Sequence, residues 1–270
     1  MVTILHFPLK HSLPEIGKVP WWQELEKREW RTYALGFRLK DEAQKKKMSE
    51  IVSARIQSLP SFSGKMRAFE FPDIEIIFDE VENKIRIQIQ PLILTGRYLK
   101  FQRNIAQTRH FCYNCKGTGR KSGSVCETCM GEKILTKESV QELIAPFFQR
   151  AFSCEEVLFH GAGREDVDVR MLGNGRPFAL TLENPVKRTG DVDKIQSEIN
   201  STLKNKVELR LLSVDFPSDV AKIMQTYHTK KYRALVEATE KISIEKLNSF
   251  LNQKMHVLQT TPSRVEKRRV

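Results

Sequence analysis

Four cysteines in two close pairs are the side chains of this sequence best suited to bind a metal ion. They are Cys112, Cys115, Cys126 and Cys129. Each pair has the form C-x-x-C-x-G, and the glycine allows the backbone amides to turn toward the sulfurs. Two such pairs can close tetrahedrally on one Zn²⁺, with four sulfur ligands and no open position for catalysis. The alternatives are a surface disulfide pair and a loop that binds no metal.

A second cluster of reactive groups lies in the glycine-rich segment 159–178. Its charged members are Arg164, Glu165, Asp166, Asp168 and Arg170. If the backbone is extended there, alternate side chains share a face, so Asp166, Asp168 and Arg170 point one way and Glu165 points to the other. Composition alone favours a solvated loop with internal ion pairs. A catalytic carboxylate is the competing interpretation.

The charge of the chain indicates a polyanionic partner. The 270 residues include 45 Lys and Arg against 33 Asp and Glu, a formal net charge of +12. Nucleic acid is the simplest partner for that excess, and a basic surface that serves solubility alone is the alternative. No apolar run approaches the ~20 residues that cross a bilayer, and no signal peptide is evident, so we expect no membrane partner. Five cysteines are too few for a disulfide scaffold, which favours a reducing, cytoplasmic setting.

The elements that must position these clusters follow from hydrophobic periodicity. One apolar face over 140–151 predicts a helix that Ser139 or Thr136 caps, with Cys154 as a small core residue beyond it. Strands are predicted at 176–182, 207–214 and 232–238, and helices at 192–203, after Pro217 and at 244–251. This alternation predicts a sheet with helices packed on it, in an α+β or α/β domain.

The N-terminal part, 1–105, predicts a separate mixed unit. Helices are expected at 24–31 and 41–58, followed by two alternating strands, IEIIFD and KIRIQIQ, with a turn at Asn83 and Lys84. The unit is basic and offers no candidate active site. It is therefore interpreted as an RNA-binding accessory domain.

The segment Gly163-Arg164-Glu165-Asp166 has the form G-R-x-D and resembles the catalytic motif of pseudouridine synthases. The longer string GREDVDVRMLGNGRPFAL is similar to the archaeal and eukaryotic tRNA pseudouridine synthases that modify the TΨC loop. Further agreement lies at GRYLKFQRNIAQT (96–108), SVQELI (139–144), KYRALV (231–236) and TPSRVEKRR (261–269). The resemblance runs from about Gly96 to the end, and the cysteine insert is typical of the archaeal branch.

The resemblance implies an α+β protein in three parts. They are a THUMP-like accessory domain at 1–109, a zinc module at 110–132 and a pseudouridine synthase catalytic domain at 133–270, with helices on a mixed sheet. The family's catalytic domain continues past the RVxxRR element, so this chain is expected to be truncated at its C-terminus. The chain would then be a fragment or the product of a split gene, and in the second case another polypeptide would supply the missing part. The accessory domain is also short and lacks the family's early cysteine pair.

The implied reaction isomerises uridine 55, and uridine 54, in the TΨC arm of tRNA. It needs no organic cofactor, and its zinc is structural. By carry-over from G-R-x-D, Asp166 is the nucleophile and Arg164 fills the space that the extruded uridine leaves. Tyr232 stacks on the target uracil, and Arg176 meets the RNA backbone. Asp168 is the rival carboxylate. Candidates for phosphate contacts are Arg97, Lys100, Arg103 and the basic residues of 264–269.

Two other functions stay open. The chain could be a non-catalytic, zinc-containing RNA-binding fragment of such an enzyme. It could also be a metalloenzyme that uses the cysteine cluster catalytically, in which case a chelator would stop the chemistry without unfolding the module.

Overall fold

The computed structural model describes residues 3–8 and 21–254, except positions 137, 227, 236 and 238. It divides into two compact units. The first unit comprises 1–111 and 134–226, and the second comprises 112–133 together with the chain from 227 onward. The motif at 261–269 lies outside the described residues. Within the described ranges, no helix is long and apolar enough to cross a bilayer.

The first unit contains a five-stranded sheet with the order β1-β5-β4-β2-β3. Its strands are β1 (Thr3–Pro8), β2 (Thr32–Arg38), β3 (Met66–Arg67), β4 (Ile74–Asp79) and β5 (Lys84–Ile89). β2 is parallel to β3 and β4, and the other pairs are antiparallel. The predicted alternation is present, because every second side chain of β4 and β5 is buried. Asn83, with a φ of 52°, forms the predicted turn.

Helices and aromatic rings cover this sheet. The predicted helix at 41–58 is confirmed as a 3₁₀ turn, Glu42–Gln44, that continues into α2 (Lys45–Gln57). The helix predicted at 24–31 is only α1 (Gln23–Glu26). Its Leu25 packs with Trp21, Trp30, Phe62 and the buried face of β4 in one hydrophobic cluster.

A second sheet, also in the first unit, has four antiparallel strands in the order β11-β6-β10-β9. They are β6 (Leu92–Lys100), β9 (Glu156–Gly161), β10 (Met171–Glu183) and β11 (Val207–Asp215). The short strands β7 (Arg120–Lys121) and β8 (Ser124–Val125) form an antiparallel pair in the second unit. The four-stranded sheet was expected to be mixed, but the mixed sheet is the N-terminal one. β6 lies between β10 and β11, so the chain enters this sheet directly after β5, before position 109. The α+β class is confirmed.

Two predicted helices bury their apolar faces against this second sheet. They are α3 (Val140–Phe152) and α4 (Val192–Thr202). Ser139 caps α3 as predicted, since its Oγ accepts from the N–H of Glu142 at 3.2 Å. Phe148 and Phe152 are fully buried, and such burial stabilises by roughly 1.5–3 kcal/mol per side chain. Cys154 joins this core, and burial raises its pKa to about 11, so its predicted packing role is confirmed.

Beyond β11 the agreement weakens. The helix after Pro217 is present as α5 (Pro217–Gln225), and the last predicted helix is reduced to α6 (Ile244–Asn248). The strand predicted at 232–238 is wrong for its described residues, which are irregular. Tyr232 is 75% exposed and Leu235 is fully exposed. Alternation alone does not make a strand when no neighbouring strand accepts its backbone hydrogen bonds.

Polar contacts of Arg188 and Glu29 connect the two sheets of the first unit. The Arg188 guanidinium donates to the backbone carbonyls of Asp73 and Gln90, both next to the five-stranded sheet. Glu29 Oε2 accepts from the N–H of Arg188 at 2.8 Å, and from the N–H and Oγ1 of Thr189 at 2.9 and 2.7 Å. The hydrogen bonds from Thr189 and Arg188 hold the pKa of Glu29 below its usual range. These contacts fix the loop after β10 to the N-terminal sheet.

Candidate functional site

The G-R-x-D segment lies in the loop that joins β9 to β10. Gly163 has a φ of 74°, a conformation that favours glycine, and the chain turns at Val167 and Asp168. The N–H of Val169 donates to the carbonyl of Asp166 at 3.2 Å. Because of this turn, the segment is not the extended strand that would give Asp166, Asp168 and Arg170 a common face.

Burial separates the two acidic residues of the motif. Asp166 is exposed, as are Arg164 and Asp168, whereas Glu165 is buried. The sequence predicted that Glu165 points away from Asp166, and the contrast in burial agrees with that. Asp166 is therefore accessible from solvent, and Glu165 is not.

Lys100, at the end of β6, holds the backbone of this loop. Its side chain has no exposed surface, and Nζ donates to the carbonyls of Ile105 at 2.7 Å, Asp166 at 3.2 Å and Val167 at 3.3 Å. Burial lowers the pKa of Lys100, while the negative charge of Glu165 opposes that shift. Lys100 was a candidate phosphate contact, but its ammonium group is enclosed by protein.

Glu165 is the centre of a buried polar cluster. Its Oε2 accepts from Tyr98 Oη at 2.7 Å and lies 3.1 Å from Arg176 Nε, while Oε1 lies 3.7 Å from Lys100 Nζ. Gln107 Nε2 donates to Tyr98 Oη at 2.9 Å and to the carbonyl of Gly163 at 3.0 Å. Two basic side chains thus surround one buried carboxylate.

Arg176 lies inside the protein, whereas the sequence predicted it at an RNA-binding surface. It was predicted to meet the RNA backbone, but only 6% of it is exposed, and Nη1 donates to the carbonyl of Ala162 at 2.8 Å. Its second contact is the ion pair with Glu165. The guanidinium is therefore engaged inside the protein. Tyr232, by contrast, is exposed and lies in the second unit.

The sequence argument missed Tyr98, Gln107 and the buried position of Glu165. Tyr98, Lys100 and Gln107 all lie in the string GRYLKFQRNIAQT, which supported the resemblance and, through Arg97, Lys100 and Arg103, the predicted phosphate contacts. Tyr98 and Lys100 are two residues apart on β6, so they share a face of the sheet. That spacing was the available signal.

A bulge in β10 lies beside this cluster. Met171 pairs with Lys100 and Arg176 pairs with Tyr98, so the residues 172–175 have no counterparts in the regular register. Arg97 closes the bulge, since its Nε donates to the carbonyl of Asn174 at 2.6 Å and its Nη2 to that of Gly175 at 2.7 Å. An open polar groove of about 700 Å³ adjoins the bulge, and Asp166 is not among its lining residues.

The four cysteines of the second unit converge on one point. Their sulfurs all lie within 4.8 Å of one another, and all four side chains are buried and free of disulfides. The Sγ atoms of Cys112 and Cys126 are 3.7 Å apart, as are those of Cys115 and Cys129. A tetrahedral site with Zn–S bonds of about 2.3 Å requires sulfurs about 3.8 Å apart. These residues therefore fit a metal ion of that size and preference.

The two cysteine pairs repeat the same backbone geometry fourteen positions apart. The N–H of Cys112 donates to the carbonyl of Lys133, and the N–H of Cys126 donates to that of Gly119. In each half the two residues after the second cysteine have positive φ values. Each half thus completes the hydrogen bonds of the other, and the sulfurs meet between them.

Hydrogen bonding and charge repulsion both favour a cation at this centre. The N–H of Gly119 approaches Cys115 Sγ at 3.3 Å. Burial acts to raise the pKa of Cys115, but the hydrogen bonds from Gly119 and the neighbouring cysteines outweigh it and lower that pKa to about 6. Four thiolates at this separation repel one another unless a cation lies between them.

The structure is that of an α+β protein with two features of chemical interest. One is the exposed Asp166 on a loop whose backbone Lys100 holds, and the other is the cluster of four cysteines. Comparison with known proteins then identifies the family: residues 93–270 match the family described as "Pus10, C-terminal", so the chain belongs to that family. This confirms the resemblance drawn from the G-R-x-D segment.

Several curated proteins named "tRNA pseudouridine synthase Pus10" are similar to this chain. The protein of Methanopyrus kandleri is 36% identical over 260 residues, which cover 92% of this chain and 57% of the relative. That of Archaeoglobus fulgidus is 42% identical over 201 residues, covering 73% and 54%. That of Methanocaldococcus jannaschii is 41% identical over 203 residues, covering 74% and 43%. The chain spans about half the length of these relatives.

Proposed function

We propose that this protein acts in tRNA modification, as a pseudouridine synthase that isomerises uridine 55, and uridine 54, of the TΨC arm. The observation that carries the proposal is the exposed carboxylate of Asp166 in the G-R-x-D loop, whose backbone is held by the buried ammonium of Lys100. Membership of the Pus10 family and the names of the relatives agree with this chemistry.

In the proposed reaction, the N1–C1′ bond of uridine breaks and a C5–C1′ bond forms. The proton lost from C5 is balanced by the proton gained at N1, so no oxidant, reductant or organic cofactor is required. Asp166 acts as the ionised nucleophile toward the extruded nucleoside.

Extruding a uridine from a folded tRNA loop costs a few kcal/mol. We assign Arg164, which is exposed next to Asp166, to the space that the uridine leaves and to a nearby phosphate. Tyr232 is assigned to stacking on the uracil, and such stacking contributes about 1–3 kcal/mol. Its side chain is 75% exposed, so its ring is accessible to a base. No RNA contact is assigned to Arg176, because its guanidinium is buried.

The remaining parts are assigned to RNA binding and support. Residues 1–109 are proposed as a THUMP-like accessory domain, with β6 passing into the catalytic sheet, and 133–270 as the catalytic domain. The four cysteines would hold a structural Zn²⁺, which needs a reducing compartment such as the cytoplasm. The net charge of +12 is suited to tRNA. A second polypeptide is proposed to supply what the longer relatives contain beyond this chain.

The test is pseudouridine formation by the purified chain on a tRNA transcript, read by primer extension after carbodiimide treatment. We expect a stop at position 55, and a weaker one at 54, that depends on the protein. The competing function is a non-catalytic, zinc-containing RNA-binding fragment of such an enzyme. It is the better description if the chain binds tRNA with a salt-dependent Kd but yields no pseudouridine even at protein excess.

A further inference from the structure

A buried carboxylate next to the proposed nucleophile has no part in the reaction written above. We propose that Glu165 is a positioning residue, which fixes the loop of Asp166 by joining Tyr98, Lys100 and Arg176 in one buried cluster. The inference rests on the proposed role of Asp166. Glu165 itself touches no substrate in this scheme.

The geometry connects Glu165 to its neighbour through Lys100. The same Nζ that lies 3.7 Å from Glu165 Oε1 also donates to the carbonyl of Asp166 at 3.2 Å. Adjacent residues of one loop are therefore held by a single cation, one through its side chain and the other through its backbone. A shift of Lys100 would move the peptide that carries Asp166.

Glu165 also joins two strands of the sheet, and its partner Arg176 reaches the end of a third. Tyr98 and Lys100 lie on β6, Arg176 lies on β10, and Arg176 Nη1 reaches the carbonyl of Ala162 just after β9. The loop between β9 and β10 is thus tied to the sheet at both ends and in its middle. Because strands hold atoms more rigidly than loops do, this arrangement gives Asp166 a fixed place.

Charge explains why the residue must be acidic. Lys100 and Arg176 are two buried cations, and removing one partner of a buried ion pair leaves the other uncompensated. In Glu165→Gln the side chain keeps its shape but loses its charge. The buried ammonium group of Lys100 then lacks its compensating negative charge, so its charged, enclosed state is destabilised. Its hydrogen bonds to the carbonyls of Asp166 and Val167 then weaken.

The experiment compares Glu165→Gln and Glu165→Asp with the matched control Glu138→Gln, which breaks a surface ion pair with Lys206 in the same unit. Deuterium exchange of the peptide 163–170 is measured in the full chain, together with kcat and KM for tRNA. In Glu165→Gln we expect that peptide to exchange faster than in the wild type. We expect kcat to fall by about 10- to 100-fold and KM to stay within about threefold. Glu165→Asp should recover part of both, and Glu138→Gln should change neither.

The outcomes separate the positioning role from the proposed function. Wild-type exchange and wild-type kcat in Glu165→Gln would overturn the inference while leaving the function of Asp166 standing. If the wild-type chain makes no pseudouridine, the function fails, and exchange of 163–170 still decides whether Glu165 fixes the loop. Should Glu165→Gln fail to fold, Tyr98→Phe removes one hydrogen bond to Oε2 and carries the same two measurements.

Discussion

The Nζ atom of Lys100 lies 3.2 Å from the backbone carbonyl oxygen of Asp166. Lys100 ends a central strand of the four-stranded sheet, whereas Asp166 lies in an exposed loop. The contact therefore ties to the sheet a residue that composition alone places in a solvated, charged loop. It also leaves the carboxylate itself free to face a substrate.

Replacing the proposed nucleophile tests the assignment of the two acidic residues. Asp166→Asn should abolish pseudouridine formation, because an amide cannot form the covalent intermediate, while Kd for tRNA stays within a few-fold. Asp168→Asn is the matched control, since both side chains are exposed in the same loop. Single-turnover assays and filter binding measure the two quantities. Equal loss of activity in both variants, with binding intact, would not distinguish Asp166 from Asp168 as the nucleophile.

Tyr232 tests base stacking in the second unit. Tyr232→Phe keeps the aromatic face and should bind tRNA about as well as the wild type, whereas Tyr232→Leu should lose about 1–3 kcal/mol of binding free energy. The side chain is largely exposed, so neither change should lower the unfolding midpoint noticeably. Fluorescence titration with tRNA gives the comparison. Indistinguishable Kd values for the two variants would argue against stacking.

Metal removal tests the cysteine centre. The purified chain should contain one equivalent of zinc, and a strong chelator should unfold the module and stop pseudouridine formation together. Cys115→Ser should lose the zinc, whereas Cys154→Ala should keep it, because Cys154 lies in the core of the first unit. Metal analysis and circular dichroism provide the readings. A chelator that stopped the chemistry while the module stayed folded would support the catalytic-metal alternative instead.

The bulge in β10 depends on close backbone approach at one glycine. A Cβ on Gly175 would lie 2.7 Å from the carbonyl oxygen of Tyr98, whereas a Cβ on Gly173 would meet nothing within 4 Å. Both glycines have φ near 70°, so alanine at either costs about 1–2 kcal/mol of backbone strain. Gly175→Ala should cost at least ~1 kcal/mol more than Gly173→Ala in urea unfolding. Similar unfolding midpoints for both variants would show that the backbone of the bulge shifts enough to accommodate the added methyl group.

His160 gives the fold a dependence on pH. Burial lowers its pKa below the usual 6.5, while the charge of Glu183 opposes the shift, and its Nε2 lies 2.9 Å from Thr181 Oγ1. The unfolded chain therefore binds the proton more readily, so the free energy of unfolding falls as pH drops below about 6.5 and is unaffected above it. Thermal unfolding from pH 7.5 to 5 should show this decline, and His160→Gln should make it shallower. A steeper decline in that variant would contradict the sign.

Helices and strands with a regular hydrophobic pattern were predictable from the sequence, because such a pattern does not depend on one specific partner residue. The apolar stripe of α3 and the alternation of β4 and β5 need only some hydrophobic surface to pack on, and both formed as predicted. β6 was missed because buried side chains occur in consecutive runs at both its ends, as is usual for a strand covered on two faces. Its pattern therefore lacks the alternation that signals a strand.

The candidate site was only half predictable for a different reason. Asp166 was found by its motif, but Glu165 has the same charge in the same glycine-rich segment and is buried. Only contacts from Tyr98, 67 positions away, and from Arg176 on the next strand distinguish it. Such long-range pairing leaves no local trace in composition or spacing. The predicted strand at 232–238 failed for the converse reason, since its pattern was present without a partner.

The mirrored hydrogen bonds of Cys112 and Cys126 make the two halves of the cysteine cluster depend on each other. Each half contributes two sulfurs, so neither alone can surround a tetrahedral ion. The backbone N–H of the first cysteine in each half is accepted by the other half. Losing either half would therefore remove two ligands and a backbone partner at once.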